Sequence, residues 1–213
     1  MGQKVNPVSF RIGVSKTWSS RWFGGEKRYS QNVLEDYRIR QFLYQRLKLA
    51  GLVRAEIERL IHQMKITLYV TRPGVVIGRG GTGLEELKKA IIPLLSLPEP
   101  EKNLQIDVAE VKEPDLSAQL VVSRIANELE RRLPHRRVIK RTMERVMAAG
   151  AKGIKIVLSG RIEGAEIART EKYHQGKIPL STLRADIDYA EAPSMTRSGY
   201  VGIKVWIYKE EKD

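Results

Sequence analysis

The sequence predicts an α+β fold in two domains, and three observations carry the prediction. Over the first half, hydrophobic periodicity runs helix, strand, strand, glycine-rich loop with helix, strand. After Pro114 and Asp115 two helical stretches come first and the strands follow, so helices and strands segregate instead of alternating. With 213 residues, 42% apolar and 30% charged, the chain is long enough for two small cores and carries more charge than most. The boundaries read as an arm over 1–28, a first domain over 29–113 and a second over 114–213, the second with two helices packed on a mostly antiparallel sheet.

In the arm, Lys4, Arg11, Lys16, Arg21, Lys27 and Arg28 face one acid, Glu26, with Phe10, Trp18, Trp22 and Phe23 interleaved and no period held. Two readings stay open: the arm packs its rings on its own domain, or it grips nucleic acid through Lys4, Arg11, Lys16 and Arg21 with Trp18 and Trp22 stacking. From Ser30 to Ala50, Val33, Leu34, Tyr37, Phe42, Leu43 and Leu47 share a helical face, and Gly51 is the stop. Residues 53–59 alternate loosely, and Ile66, Leu68 and Val70 alternate with Lys65, Thr67 and Tyr69, which predicts two strands. The apolar triplet Val75-Val76-Ile77 runs into a glycine loop that opens a helix bearing Leu84, Leu87 and Ile91, ended by Pro93. Pro98-Glu99-Pro100-Glu101 is a loop, and Leu104, Ile106 and Val108 make a third strand.

Asp115 or Ser117 is positioned to cap the next helix, 116–133, whose Val121, Ile125, Leu129 and Leu133 recur every four residues. Pro134 interrupts. A second helix turns Ile139, Met143, Val146 and Met147 inward and stops at Gly150. Strands follow at 154–158, roughly 165–177 and 182–193, and 203–207.

The net charge of +13 calls for a polyanionic partner. No run reaches membrane-span length, no basic-then-apolar leader begins the chain, and Met1–Asn6 lacks a myristoylation pattern, so nucleic acid is expected and a membrane is not. The absence of cysteine excludes disulfides, thiolate zinc sites and thiol nucleophiles. His62, His135 and His174 have no ligand spacing, and neither metal nor cofactor nor small-molecule substrate is expected. These features point to the cytoplasm, an organelle-encoded protein being equally compatible.

Gly78-x-Gly80-x-x-Gly83 fits a dinucleotide-binding pattern, with Val75–Ile77 as its strand. That reading needs an acidic residue about 20 positions on at the end of a second strand. Glu99 and Glu101 sit instead in a proline-rich turn and Asp107 inside a strand, and no Gly-Lys-Ser/Thr follows for a P-loop. The same residues as Gly78-Arg79-Gly80-Gly81, preceded by Val76-Ile77 and opening a helix, form the GXXG loop of KH domains, which holds the backbone of a single strand. The element order resembles the type II KH arrangement.

A second basic site surrounds Pro134. Arg131, Arg132, Arg136, Arg137, Lys140 and Arg141 crowd a run with no acid, and Arg137, Lys140 and Arg141 share a helical face opposite Ile139, Met143 and Val146. Solvated faces normally mix signs, whereas unmatched positives fit opposite phosphates. Asp186 and Asp188 at i, i+2 read as a salt-bridged strand face, and no nucleophile motif is present, so no enzymatic chemistry is expected.

A specific likeness joins these features. Met1–Pro7, Arg72–Gly78, Gly153-Ile154-Lys155-Ile156, Ser159-Gly160-Arg161, Gly164–Glu171, Pro179–Tyr189 and Gly202–Ile207 together resemble the ribosomal protein family number three of the small subunit, bacterial or organellar form. The likeness spans nearly the whole chain. It implies a type II KH domain with Gly78, Arg79, Gly80 and Gly81 at the clamp, and binding to small-subunit rRNA in the subunit head beside other small-subunit proteins. It also implies a basic helix lining the channel by which mRNA enters, matched at Arg136, Arg137 and Lys140 with Arg131, Arg132 and Arg141 as neighbours, that helps open structured mRNA without nucleotide hydrolysis. The chain departs from the family at Gly80, where a basic residue is common, and in its longer, more acidic Pro98–Glu101 loop. A free-standing KH-type RNA-binding regulator and a nucleotide-cofactor enzyme are the alternatives.

Overall fold

The computed structural model describes residues 4–60, 63–95 and 103–209. Met1–Gln3, His62 and the Pro98–Glu101 loop lie outside the described residues. The chain divides into two compact units, Trp18–Lys112, and Met1–Thr17 with Glu113–Asp213. The segment 1–28 is therefore not one arm. Its two halves are captured by polar anchors in different units, a cause that periodicity does not report.

The unit 18–112 is built on a four-stranded sheet in the order β1 (Ser20–Arg21), β2 (Leu52–Arg59), β3 (Met64–Val70) and β4 (Leu104–Glu110). β2 and β3 are antiparallel, and β3 and β4 run parallel with Ile66 opposite Ile106. The parallel pair needs a crossover, supplied by α3 (Pro73–Ile77) and α4 (Thr82–Ile91). Val75–Ile77 is therefore helical and not the strand of a dinucleotide fold. Pro73 opens α3, where its missing N–H costs nothing.

The long helix α2 (Glu26–Arg46) begins and ends earlier than its apolar pattern predicts, and residues 47–50 turn before Gly51 at φ 68°. Ile39, Leu43 and Leu47 join the core, but Val33, Leu34 and Tyr37 are exposed. Glu35 and Asp36 take the buried positions instead, because Arg59 of β2 meets them both: its guanidinium lies 2.8 Å from Glu35 Oε2 and 2.5 Å from Asp36 Oδ1. Asp36 Oδ2 also accepts from Ser20 Oγ at 2.8 Å and Trp22 Nε1 at 2.9 Å. That carboxylate ties residues 20–22 to the domain; a buried pair is tolerated when its remaining lone pairs are satisfied in this way.

The other unit starts with a short helix, α1 (Pro7–Phe10), capped by Asn6 Oδ1 on the Val8 N–H at 2.9 Å. Two longer helices, α5 (Ala118–Glu130) and α6 (His135–Ala148), precede β5 (Gly153–Gly160), β6 (Arg169–Gly176), β7 (Ile187–Thr196) and β8 (Gly199–Tyr208). The strands pair antiparallel in the order β6-β5-β8-β7. Val121, Ile125, Ile139 and Val146 bury against Ile154, Ile156, Val205 and Ile207, leaving the opposite sheet face uncovered by these helices. The cap of α5 comes from neither predicted residue. Asp188 of β7 accepts the Ala118 N–H at 3.0 Å, Asp115 is committed to Arg124 at 2.6 Å, and Ser117 Oγ is buried without a hydrogen-bond partner. Asp186 and Asp188 are each ion-paired, with Lys16 at 2.5 Å and Lys209 at 3.4 Å, but only Asp188 lies within β7, so they are not the strand face expected.

Candidate nucleic-acid interface

The glycine loop joins α3 to α4 as a tight helix–turn–helix. Gly78, Gly80 and Gly81 have φ of 71°, 63° and 85°, the left-handed region that glycine enters without steric cost. A side chain at Gly80 or Gly81 would meet nothing within 4 Å, so these glycines serve conformation and leave open space over the backbone. Gly83 serves packing: a Cβ there would lie 2.5 Å from the Val76 carbonyl oxygen. Gly78, Arg79 and Gly80 are exposed. Gly81 caps α4 with no side-chain hydrogen bond, and the Thr82 N–H that opens the helix already donates to the Arg79 carbonyl within the loop. The loop stands between two helices, away from the end of any strand, which removes the geometry a dinucleotide fold requires.

In the other unit all six predicted cations, Arg131, Arg132, Arg136, Arg137, Lys140 and Arg141, are exposed. Among the described residues none of them is ion-paired with a carboxylate. Beneath them Val138, Ile139, Thr142 and Val146 are buried, so α6 is held by its apolar face and offers its cations to solvent. The turn between α5 and α6 gathers the first two. Leu133 N–H donates to Glu128 O at 3.2 Å and Arg132 N–H to Leu129 O at 2.9 Å, the paired bonds of a helix C-terminus that reverses through a left-handed residue. That residue is Arg132 at φ 60°, a position where glycine is the usual choice.

The first residue of α6 is what sequence reasoning missed. His135 is 2% exposed, with Nδ1 2.7 Å from Glu163 Oε1 and Nε2 2.8 Å from Glu171 Oε2. Carboxylates only accept, so both contacts are hydrogen bonds when the ring carries both protons. Glu171 also receives the Tyr173 O–H at 2.5 Å and Arg169 Nε at 2.9 Å. The Tyr173 bond, with those from His135 and Arg169, outweighs burial and holds Glu171 below the usual carboxylate range. Glu163 stands at φ 54°, a second left-handed residue that is not glycine. The only local signal was a histidine inside an otherwise basic run; its partners lie 28 and 36 positions away.

The arm residues separate by environment. Arg11 is 1% exposed, and its guanidinium donates to the carbonyls of Ala185 (2.8 Å), Pro7 (3.0 Å), Pro179 (3.3 Å), Leu180 (3.0 Å) and Thr182 (2.8 Å). Burial lowers its pKa, with Asp186 acting the other way. Arg11 is thus a structural clamp and is withdrawn from the RNA-facing set. Lys16 is held by Asp186, and Trp22 by Asp36. Lys4, Trp18 and Arg21 face solvent, Arg21 lying 3.3 Å from Glu58. No helix among the described residues is long and apolar enough to cross a membrane, and no group of carboxylates or histidines there could hold a metal ion.

A KH-domain family model matches residues 38–116, and a model described as ribosomal protein S3, C-terminal domain, matches residues 125–207. Whole-length relatives agree. The small ribosomal subunit protein uS3 of Clostridium novyi is 47% identical over 211 residues, covering 99% of this chain and 94% of that one. Its counterpart in Desulforamulus reducens is 47% identical with 99% and 93% covered, and that of Clostridium botulinum strain Alaska E43 is 48% identical with 99% and 94% covered. The chain belongs to the uS3 family.

The KH match contains the glycine loop, and the C-terminal match contains the basic turn and helix together with Glu163 and Glu171. As a member of a ribosomal-protein family, the uS3 chain is no dinucleotide-dependent enzyme, in keeping with the position of its glycine loop.

Proposed function

We propose that this uS3-family chain is a structural constituent of the small ribosomal subunit, bound to rRNA in the head and to neighbouring subunit proteins, and that α6 grips mRNA as it enters. Lys4 and Trp18 face solvent and are offered to rRNA, with Arg21 held in its ion pair with Glu58, and the loop Gly78–Gly81 is offered to a sugar-phosphate backbone. The observation that carries the mRNA reading is the set of six exposed cations, two in the turn before α6 and four on the helix pinned at its first residue by His135, none of them ion-paired with a carboxylate among the described residues. Such a surface resists slippage and reannealing of a strand by binding its phosphates and needs no nucleotide hydrolysis. The likeness to bacterial uS3 proteins supports a site of action on the ribosome, in the cytoplasm.

Replacing Arg136, Arg137 and Lys140 by alanine tests this. Variant subunits should retain the protein through a high-salt wash and translate unstructured messages normally, but should slow at stable hairpins. Unchanged hairpin transit would overturn the mRNA reading. Loss of the parent chain from subunits in that wash would instead favour a free-standing RNA-binding regulator.

A further inference from the structure

The face of the C-terminal sheet turned away from α5 and α6 has a composition that the rRNA reading leaves unused. Because Ile154, Ile156, Val205 and Ile207 point into the core, their neighbours point out. The register aligns His174, Lys155, Trp206 and Tyr189 in one row across all four strands. The rings of Trp206 and Tyr189 lie 5.1 Å apart at 43°, and Lys155 Nζ stands 5.3 Å from the Trp206 ring centre. In the next row Lys172 and Lys204 flank Val157.

A groove of about 770 Å³ runs between this face and residues 4–10 and 180–181, lined by Lys4, Phe10, Tyr189, Lys204 and Trp206. Its carboxylate, Glu191, is already engaged by the Tyr189 O–H at 2.6 Å and by Lys204 at 3.6 Å. Burial, and then the charges of Lys4 and Lys172, push the Lys155 pKa down, which marks this cation as one that an incoming anion would relieve.

We propose that this face is a second RNA site, in which an unpaired nucleotide of the bound rRNA stacks its base on Trp206 and places its phosphates among Lys4, Lys155 and Lys204. The proposal rests on the reading that the chain is bound to rRNA. An aromatic ring on a central strand, Trp206, beside a second on the edge strand, Tyr189, with cations around them, suits a base and its backbone. Protein interfaces, by contrast, are depleted in lysine.

Ultraviolet cross-linking of small subunits carrying the chain, followed by trypsin and mass spectrometry, should find a nucleotide adduct on the peptide Val205–Lys209. No adduct there in subunits that retain the chain overturns the proposal, as does a cross-link from that peptide to another protein. With the free full-length chain, a single-stranded RNA heptamer should protect Lys155 and Lys204 from acetylation. Trp206→Leu should then require roughly 5- to 150-fold more RNA, the equivalent of about 1–3 kcal/mol for one stacked base, and Trp206→Phe should recover most of it. Equal protection of the parent and Trp206→Leu also overturns the site. If the chain is missing from subunits altogether, the ribosomal reading fails while the heptamer measurement still decides this one.

Discussion

His135 Nδ1 lies 2.7 Å from Glu163 Oε1, and the contact joins the start of the cation-bearing helix to a turn whose backbone is left-handed at the glutamate. Glu163 carries a side chain where glycine would be unstrained, and its carboxylate is what fills one side of a buried imidazole. Local strain and a distant hydrogen bond are thus coupled at the base of the proposed mRNA-gripping surface.

The coupling predicts an order among variants. Glu163→Ala keeps the strained φ and loses the bond, while Glu163→Gly loses the bond but relieves the strain. In urea unfolding, Glu163→Gly should be more stable than Glu163→Ala by about 1 kcal/mol. Equal midpoints would show that the turn stores no strain.

Acid should weaken the same clamp from its other side. Glu171 is held below the usual carboxylate range, first by Tyr173 and then by His135 and Arg169. A carboxylate whose folded pKa is depressed contributes stability fully above its unfolded pKa, near 4.3, and loses it as pH falls through the folded value. Melting temperatures followed from pH 7 down to pH 2 should decline below about pH 4. Tyr173→Phe should move that decline to higher pH, and Glu171→Gln should flatten it. A Tyr173→Phe profile superimposable on the parent would remove the phenol from the account.

Arg132 separates stability from binding. At φ 60° it occupies a glycine position, so Arg132→Gly should stabilise the chain by about 1 kcal/mol in thermal melts. If its charge meets a phosphate, the same change should reduce the slope of log affinity against log salt for single-stranded RNA by about 0.7, out of about 4 for six contacts. A stabilised variant with an unchanged slope would take Arg132 out of the interface.

Arg11→Lys distinguishes a clamp from an RNA contact. A lysine keeps the charge but cannot serve the carbonyls of Pro7, Pro179, Leu180, Thr182 and Ala185 from one planar group. The variant should lose at least about 2 kcal/mol in urea unfolding, with the salt slope of RNA binding unchanged. Undiminished stability would return Arg11 to the surface.

Much of this molecule was legible as pattern. The i, i+4 spacing of Val121, Ile125 and Leu129 and the alternation of Ile203, Val205 and Ile207 each report an apolar face, and each is buried; Leu133, the fourth of that helical series, lies past the end of α5 and is exposed. The glycine loop and the six cations around Pro134 announced themselves by local composition. Periodicity misled on α2, where Val33, Leu34 and Tyr37 face solvent and Glu35 and Asp36 face the core. It was silent on Val75–Ile77, a segment too short for a helical period to show.

By itself the sequence determined two domains, a KH-type glycine loop, an unmatched run of cations and, through those residues together, the family. The tertiary structure alone decided which polar groups go inside: Arg11 among distant carbonyls, Asp36 under Arg59, Asp188 capping α5, His135 between two glutamates. The reason is physical. An apolar side chain is driven inward by its own aversion to water, and that shows in any local window. A polar or charged one is buried only when partners wait for it, and here they lie on other elements of the fold, up to 174 positions away along the chain.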